Sequence, residues 1–192
     1  RSSIDQRIDY RWIDLRTDEN QLMFKAQSCF VNAMRKFLLD RNFIEIHTPK
    51  LIAAASESGS EVFKVDYFDR NAYLAQSPQF YKQMAMAAGF ERIFETGPVF
   101  RAEKSYTNKH STEFSGFDLE FSYITSYRDV MKMEEELLTA GLKAVKEAYG
   151  DQIKELFGQE VIVPETPFPV VKLADLYKGL EEEFGYTVDE SE

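Results

Sequence analysis

Cysteine is almost absent from this chain, which has a single one, Cys29, among its 192 residues. One thiol can form neither a disulfide framework nor a multi-thiolate metal site within the chain. Histidine is also scarce, with two in total, and His47 has no second His or Cys near it in sequence to complete a metal site. We therefore predict a reducing, cytoplasmic setting and no metal site of this kind.

Long apolar runs and an excess of basic residues are missing as well. No stretch approaches the roughly 20 apolar residues of a membrane-spanning helix, so no membrane partner is expected. With 33 Asp and Glu against 23 Lys and Arg, the chain lacks the overall basic character of a nucleic-acid binder. Any contact with nucleic acid must be local or made elsewhere. The 44% of hydrophobic residues is ample for the packed core of one ordinary domain.

Helical spacing of apolar residues predicts three main helices, and a separate short helix is expected beyond Asp151, up to Phe157. The first runs from about Asp18 to Arg41 and carries Cys29 on its apolar stripe. A short one covers 79–88. The third begins at Ser126, which forms a capping-box-like pattern with the acid three residues later, and is expected to stop at Gly150.

Alternating polarity predicts strands between these helices. A short strand ends near Pro49, and another, before Asp69, turns over 69–71 into the strand "AYLA". Two more, within 92–103 and 113–124, form a hairpin, and a further strand is expected near Val161. Strands in a run of hairpins, flanked by helices, predict an α+β fold with an antiparallel sheet.

The hairpin of 92–124 has one unexpectedly polar face. Because side chains alternate across a strand, one face of its second strand is an apolar core stripe, formed by Phe117, Leu119, Phe121 and Tyr123. The opposite face of this strand carries an aromatic ring and two acids around a glycine: Phe114, Gly116, Asp118, Glu120 and Ser122. On the partner strand, the same face is expected to carry Val99, Arg101 and Glu103. A solvated sheet face with cross-strand ion pairs would give the same pattern.

The loop of this hairpin, "KSYTNKHST", favours a ligand instead. Its bases Lys104, Lys109 and His110 lie beside Arg101, which can grip a phosphate with a bidentate guanidinium. Phe114 at the loop exit could stack on a flat base. ATP satisfies all of these features at once.

The stretch "FRAEKSYTNKHSTEF" resembles motif 2 of the class II aminoacyl-tRNA synthetases, a strand–loop–strand hairpin. The helix and proline-ended strand from Asp18 to Pro49 are similar to motif 1 of that class. "QSPQFYKQ" and "TEFSGFDLE" narrow the resemblance to aspartyl-tRNA synthetases of the archaeal and eukaryotic type. The likeness runs from about Arg7 through Ser126.

That resemblance implies a two-step reaction. L-Aspartate attacks the α-phosphate of ATP to give aspartyl-adenylate and pyrophosphate, and the 3′ end of tRNA(Asp) then takes the aspartyl group. It also implies that Arg101 is catalytic and grips the α-phosphate, that Glu103 holds the adenine amino edge, that His110 reaches the γ-phosphate and that Phe114 stacks on the ring. Mg²⁺ is implied too, with ligands mainly outside this chain.

The resemblance also assigns an amino-acid pocket. Lys82 would pair with the side-chain carboxylate of aspartate, and Asp118 would orient Lys82. Ser77 and Gln79 would lie beside it, Gln79 toward the ammonium, and Glu57 would close over that ammonium as a lid. Each has a plainer interpretation: Lys82 as a surface lysine, Glu57 as an ordinary loop acid and Gln79 as a helix start.

The implied domain organisation has three parts. Residues 1–17 would be a connector after a missing anticodon-binding domain, 18–150 the catalytic core with motifs 1 and 2, and 151–192 a partial insertion or C-terminal segment, with motif 3 absent. We therefore expect a catalytic-domain fragment that is inactive alone. Because motif 1 forms the dimer interface in this class, a homodimer is implied.

Two alternatives stay open. Asparaginyl-tRNA synthetases have a catalytic domain built alike, but they typically carry Glu where this chain has Asp118, so "GFDLE" favours aspartate. A non-catalytic, synthetase-like paralogue that binds a nucleotide or a partner would also fit a chain without motif 3.

Overall fold

The computed structural model describes residues 2–54, 62–103 and 110–188, in which helices and strands alternate in groups. The helices are α1 (Ile4–Asp9), α2 (Arg11–Asp14), α3 (Asp18–Leu39), α4 (Gln79–Ala87), α5 (Tyr127–Phe157) and α6 (Leu173–Phe184). The strands are β1 (Ile44–Glu45), β2 (Leu51–Ile52), β3 (Lys64–Tyr67), β4 (Arg70–Leu74), β5 (Arg92–Phe100) and β6 (Glu113–Phe121). The predicted α+β class is confirmed.

The described strands form two small sheets, ordered β1-β5-β6 and β2-β4-β3. All neighbours are antiparallel except β1 and β5, which run parallel. The Ala75 N–H donates to the Lys50 carbonyl, which extends the β2–β4 pairing, and the Phe100 N–H donates to the Ala75 carbonyl, which joins the two sheets; each bond is 2.9 Å long. The chain leaving β4 is thereby held against β5, which places the following helix α4 beside the β5–β6 hairpin.

The core lies between helices α3 and α5 and one face of β5 and β6. Its buried residues are Met34, Leu38, Phe43, Phe94 and Leu137. The predicted stripe of Phe117, Leu119 and Phe121 packs against this cluster, as expected. The extension of that stripe to Tyr123 is wrong: β6 ends at Phe121, and Tyr123 has a left-handed φ of 60° and is 87% exposed. A residue beyond the strand no longer follows its alternation.

Helix α5 is longer than its sequence predicts. The capping box of Ser126 and Asp129 is confirmed at its start. The predicted stop at Gly150 is wrong, because the helix continues to Phe157 and ends at Gly158, which has a left-handed φ of 66°. One glycine inside a helix costs only about 1 kcal/mol, so the helical residues on both sides of Gly150 carry the helix through it.

Two smaller expectations also need correction. The β3–β4 turn lies one residue earlier than predicted, because Phe68 adopts a left-handed φ of 55° and β4 has already begun at Arg70. The strand expected near Val161 does not form in the described chain, where 159–172 has no regular structure. Within the implied connector of 1–17, residues 7–16 belong mainly to the short helices α1 and α2.

Helices α3 and α5 approach closely at Gly141. A Cβ built there would lie 2.5 Å from Phe30 Cε2 and 3.1 Å from Met34 Cγ. We expect Gly141→Ala to lower the free energy of unfolding by about 1–2 kcal/mol, since the overlap outweighs the better helix propensity of alanine.

Gly150→Ala in the same helix is the matched control, because its Cβ would meet only Lys146 Cγ, at 3.6 Å. We expect that variant to gain up to about 1 kcal/mol. Urea unfolding followed by circular dichroism measures both. Equal effects of the two substitutions would contradict close packing at Gly141.

None of the helices in the described ranges is both long enough and apolar enough to span a bilayer.

Candidate functional site

The register of β5 and β6 decides which side chains share the polar face. Gly97 lies opposite Gly116, with Glu95 opposite Asp118 on one side of this pair and Val99 opposite Phe114 on the other. Directly paired residues of an antiparallel sheet point to the same face. The two facing glycines leave space above the sheet, and a small pocket of about 80 Å³ opens there.

Arg101 and Phe114 form one end of this pocket. The Arg101 backbone N–H donates to the Thr112 carbonyl at 2.9 Å, which continues the hairpin beyond the strands. The guanidinium carbon lies 5.6 Å from the centroid of the Phe114 ring, and that ring is 40% exposed. Within the described structure, the buried Nε of Arg101 has no hydrogen-bond partner. An unsatisfied cationic donor in a pocket wall suits an anionic ligand.

Lys82 on helix α4 reaches the strand β6 at the other end of the site. It is only 4% exposed, and its Nζ donates to Asp118 and, at 3.4 Å, to the Leu119 carbonyl. The same Nζ lies 3.1 Å from Glu120 Oε2. One ammonium therefore faces two carboxylates on the polar face of β6. The predicted pairing of Lys82 with Asp118 is present, while Glu120 is an additional partner.

A second buried ion pair lies beside the first. Glu95 is 3% exposed; its Oε1 accepts from Lys50 Nζ at 2.8 Å and from the Thr48 backbone N–H at 2.9 Å, and its Oε2 accepts from Thr48 Oγ1 at 2.7 Å. Burial alone would raise the pKa of Glu95. The bonds from Lys50 and Thr48 outweigh this and hold the pKa below its usual value, so the carboxylate is ionised at neutral pH.

The structure brings four of the predicted site residues together around the pocket: Ser77, Arg101, Phe114 and Asp118 all line it. Gln79 is adjacent, since its backbone N–H donates to Ser77 Oγ at 3.4 Å at the start of α4.

Lys82 contacts the pocket-lining Asp118 but is not itself among the lining residues. The other predicted residues lie apart from this pocket or outside the described ranges. Glu103 and His110 are exposed residues near the two ends of the hairpin loop, and neither is among the pocket-lining residues. Glu57 lies outside the described residues. The proposed roles of all three stay predictions.

Sequence reasoning missed three polar residues that line the pocket, Lys50, Gln76 and Glu95. Gln76 is 1% exposed, directly before Ser77. The sequence did contain a signal for Glu95. The alternation that puts Arg101 and Val99 on the polar face also puts Glu95 there, four residues before Val99. Lys50 carries no such signal, because it follows Pro49 outside any regular strand.

The described side chains offer no cluster of ligands for the implied Mg²⁺. No group of three or more His, Cys, Asp or Glu among them is arranged to hold an ion. The described residues therefore do not fit the ion.

Comparison with known proteins identifies what the chain is similar to. Residues 3–190 match the family described as "tRNA synthetases class II (D, K and N)". The chain is 47% identical, over 96% of its length, to 44% of the aspartate–tRNA(Asp/Asn) ligase of Methanopyrus kandleri. It is 46% identical, over 86% of its length, to 31% of the cytoplasmic aspartate–tRNA ligase of Caenorhabditis elegans.

Among solved structures, the asparaginyl-tRNA synthetase of Pyrococcus horikoshii, complexed with asparaginyl-adenylate, superposes with a TM-score of 0.90 at 32% identity. The match covers 100% of this chain and 44% of that one. The chain thus spans less than half the length of the curated relatives it matches.

Proposed function

Because this chain belongs to the class II tRNA synthetases of the D, K and N group, we propose that it carries the amino-acid and ATP sites of an aspartate–tRNA ligase. The protein would activate L-aspartate with ATP to aspartyl-adenylate and then transfer the aspartyl group to the 3′ end of tRNA(Asp). The observation that carries this proposal is the buried Lys82, paired with Asp118 beside a pocket whose far end holds Arg101 and Phe114.

At the ATP end, Arg101 binds the α-phosphate and Phe114 stacks on the adenine. An oxygen of the aspartate α-carboxylate attacks the α-phosphorus, and pyrophosphate leaves with the electrons of the broken P–O bond. Negative charge grows on the α-phosphate oxygens during this step, and a guanidinium fixed beside them stabilises it. The unsatisfied Nε of Arg101 supports this role. Glu103 at the adenine edge and His110 at the γ-phosphate complete the proposed ATP contacts.

At the amino-acid end, Lys82 binds the side-chain carboxylate of aspartate. Asp118 holds the ammonium of Lys82 in place, and burial on helix α4 restricts its movement. Ser77 lines the pocket next to this pair, and Gln79 at the first turn of α4 binds the substrate ammonium. Glu57 closes over that ammonium.

Aspartate is favoured over asparagine as the substrate. Lys82 supplies the positive charge that a carboxylate requires and a neutral amide does not. The curated aspartate ligases named above are 46–47% identical to this chain, whereas the asparaginyl enzyme is 32% identical. The high structural similarity to the asparaginyl enzyme nevertheless keeps it as the second candidate.

Amino-acid-dependent exchange of labelled pyrophosphate into ATP tests the assignment in the full-length protein. We expect exchange with aspartate to exceed exchange with asparagine by about 100-fold or more, because an asparagine side chain leaves the charge of Lys82 unpaired. Equal rates would reject aspartate as the substrate. Absence of exchange with either amino acid would favour the non-catalytic paralogue.

We further propose a cytoplasmic homodimer that assembles through α3 and the β1–β2 segment. Large apolar side chains are about half exposed there: Met23, Phe24, Leu39, Ile44 and Leu51. Exposed apolar residues grouped in this way are typical of an interface. The cytoplasmic location is supported by the curated relative from Caenorhabditis elegans, whose name states it.

A further inference from the structure

The ion pair of Lys50 and Glu95 forms the floor of the pocket beside the amino-acid end. A Cβ built on Gly97 would lie 3.5 Å from Glu95 Oε1 and 3.6 Å from Lys50 Cε, so the pair lies next to the glycine that opens the pocket. Both residues line the pocket. Glu95 is also the strand partner of Asp118, on the same face.

The net charge of this region is unfavourable for binding a further anion. Three carboxylates, those of Glu95, Asp118 and Glu120, face two ammonium groups, those of Lys50 and Lys82. The side chain of a bound aspartate would bring a fourth carboxylate. If Lys50 were neutral, the buried charge of Glu95 would have no cation and would repel the substrate across a poorly solvated pocket.

We infer that Lys50 is a positioning residue for amino-acid selection: by neutralising Glu95, it keeps the amino-acid end of the pocket able to accept an anionic side chain. This inference rests on the proposed function. It differs from a purely structural role, in which the pair would only tie the connector at Thr48 to strand β5.

The two roles predict different effects for the two halves of the pair. A structural bridge is weakened by both Lys50→Met and Glu95→Gln, so both would change the KM for aspartate in the same direction. An electrostatic role gives changes of opposite sign, because the first substitution leaves a buried negative charge and the second removes it. The amide oxygen introduced by Glu95→Gln can still accept the hydrogen bond of the Thr48 backbone, so the backbone contact is retained in the second variant.

The experiment measures KM and kcat of pyrophosphate exchange in the full-length protein, with aspartate and with ATP as the varied substrate. We expect Lys50→Met to raise the KM for aspartate about tenfold and the KM for ATP by no more than about threefold. Glu95→Gln should lower the KM for aspartate by about threefold, and the double variant should return to within about threefold of the original protein. Lys50→Arg should recover most of the loss.

The surface pair of Lys154 and Glu160 provides the matched control, since its Nζ–Oε1 distance of 2.6 Å is also direct but neither residue lines the pocket. Lys154→Met should leave both KM values unchanged. A rise in the KM for aspartate in Glu95→Gln, or no recovery in the double variant, would overturn the inference. The Glu95→Gln result decides the question even if Lys50→Met fails to fold. Absence of aspartate-dependent exchange in the original protein would instead reject the proposed function.

Discussion

Replacing Lys82 with methionine should raise the KM for aspartate by about 100-fold or more, while the KM for ATP rises less than about threefold. Lys82 is almost completely buried, and its Nζ contacts both Asp118 and Glu120. Without it, the substrate carboxylate would meet two carboxylates and no cation from helix α4. The loss should appear mainly in aspartate binding, because Arg101 and Phe114, which we assign to ATP, lie at the other end of the pocket.

The fold should tolerate this change. The side chains of Asp118 and Glu120 keep 32% and 30% of their surface exposed, so water can solvate both carboxylates once Lys82 is gone. We expect a loss of about 1–2 kcal/mol in the free energy of unfolding, below the cost of orphaning a fully buried charge. Methionine retains most of the apolar stem of lysine.

Steady-state exchange kinetics with each substrate varied in turn measure the effect, and urea unfolding measures stability. Gln83→Met is the matched control, since Gln83 is the next residue of α4 and is exposed. It should leave both KM values near those of the original protein. Equal rises in the KM for aspartate and for ATP in Lys82→Met would contradict the assigned role.

Local patterns in the sequence predicted much of the fold. Alternation placed Phe117 and Leu119 on the core face of β6, and the capping box placed the start of α5 at Ser126. These features depend on neighbours within a few residues. The predicted helix end at Gly150 and the predicted turn after Phe68 were wrong for a related reason. The residue type at one position does not show how strongly the neighbouring residues stabilise a helix or a turn there.

The candidate site was predictable only in part. The pairing of Lys82 with Asp118 followed from the family resemblance, and alternation alone put Asp118 on the polar face. The pair of Lys50 and Glu95 joins residues that are 45 positions apart in sequence. Its formation depends on where the irregular segment after β1 crosses strand β5, which no periodicity specifies.

Replacing Arg101 with alanine should lower kcat for adenylate formation by about 10²–10³-fold, because the growing charge on the α-phosphate loses its fixed donors. Stability should change by less than about 1 kcal/mol, since removing a buried, unsatisfied Nε also removes the cost of its desolvation. This combination separates a catalytic arginine from one that only pairs with acids on a solvated sheet face. In the latter case stability would fall and kinetics would stay normal.

Single-turnover formation of aspartyl-adenylate, measured beside urea unfolding, tests this prediction directly. Arg101→Lys should recover only part of the rate, because an ammonium restores the positive charge without the bidentate geometry of the guanidinium. Arg92→Ala is the matched control: Arg92 begins the same strand β5, is exposed and does not line the pocket. Its rate of adenylate formation should stay close to that of the original protein. A full recovery of the rate by lysine would mean that charge alone acts at position 101, and the orienting contact with the Phe114 ring would then have no part in catalysis.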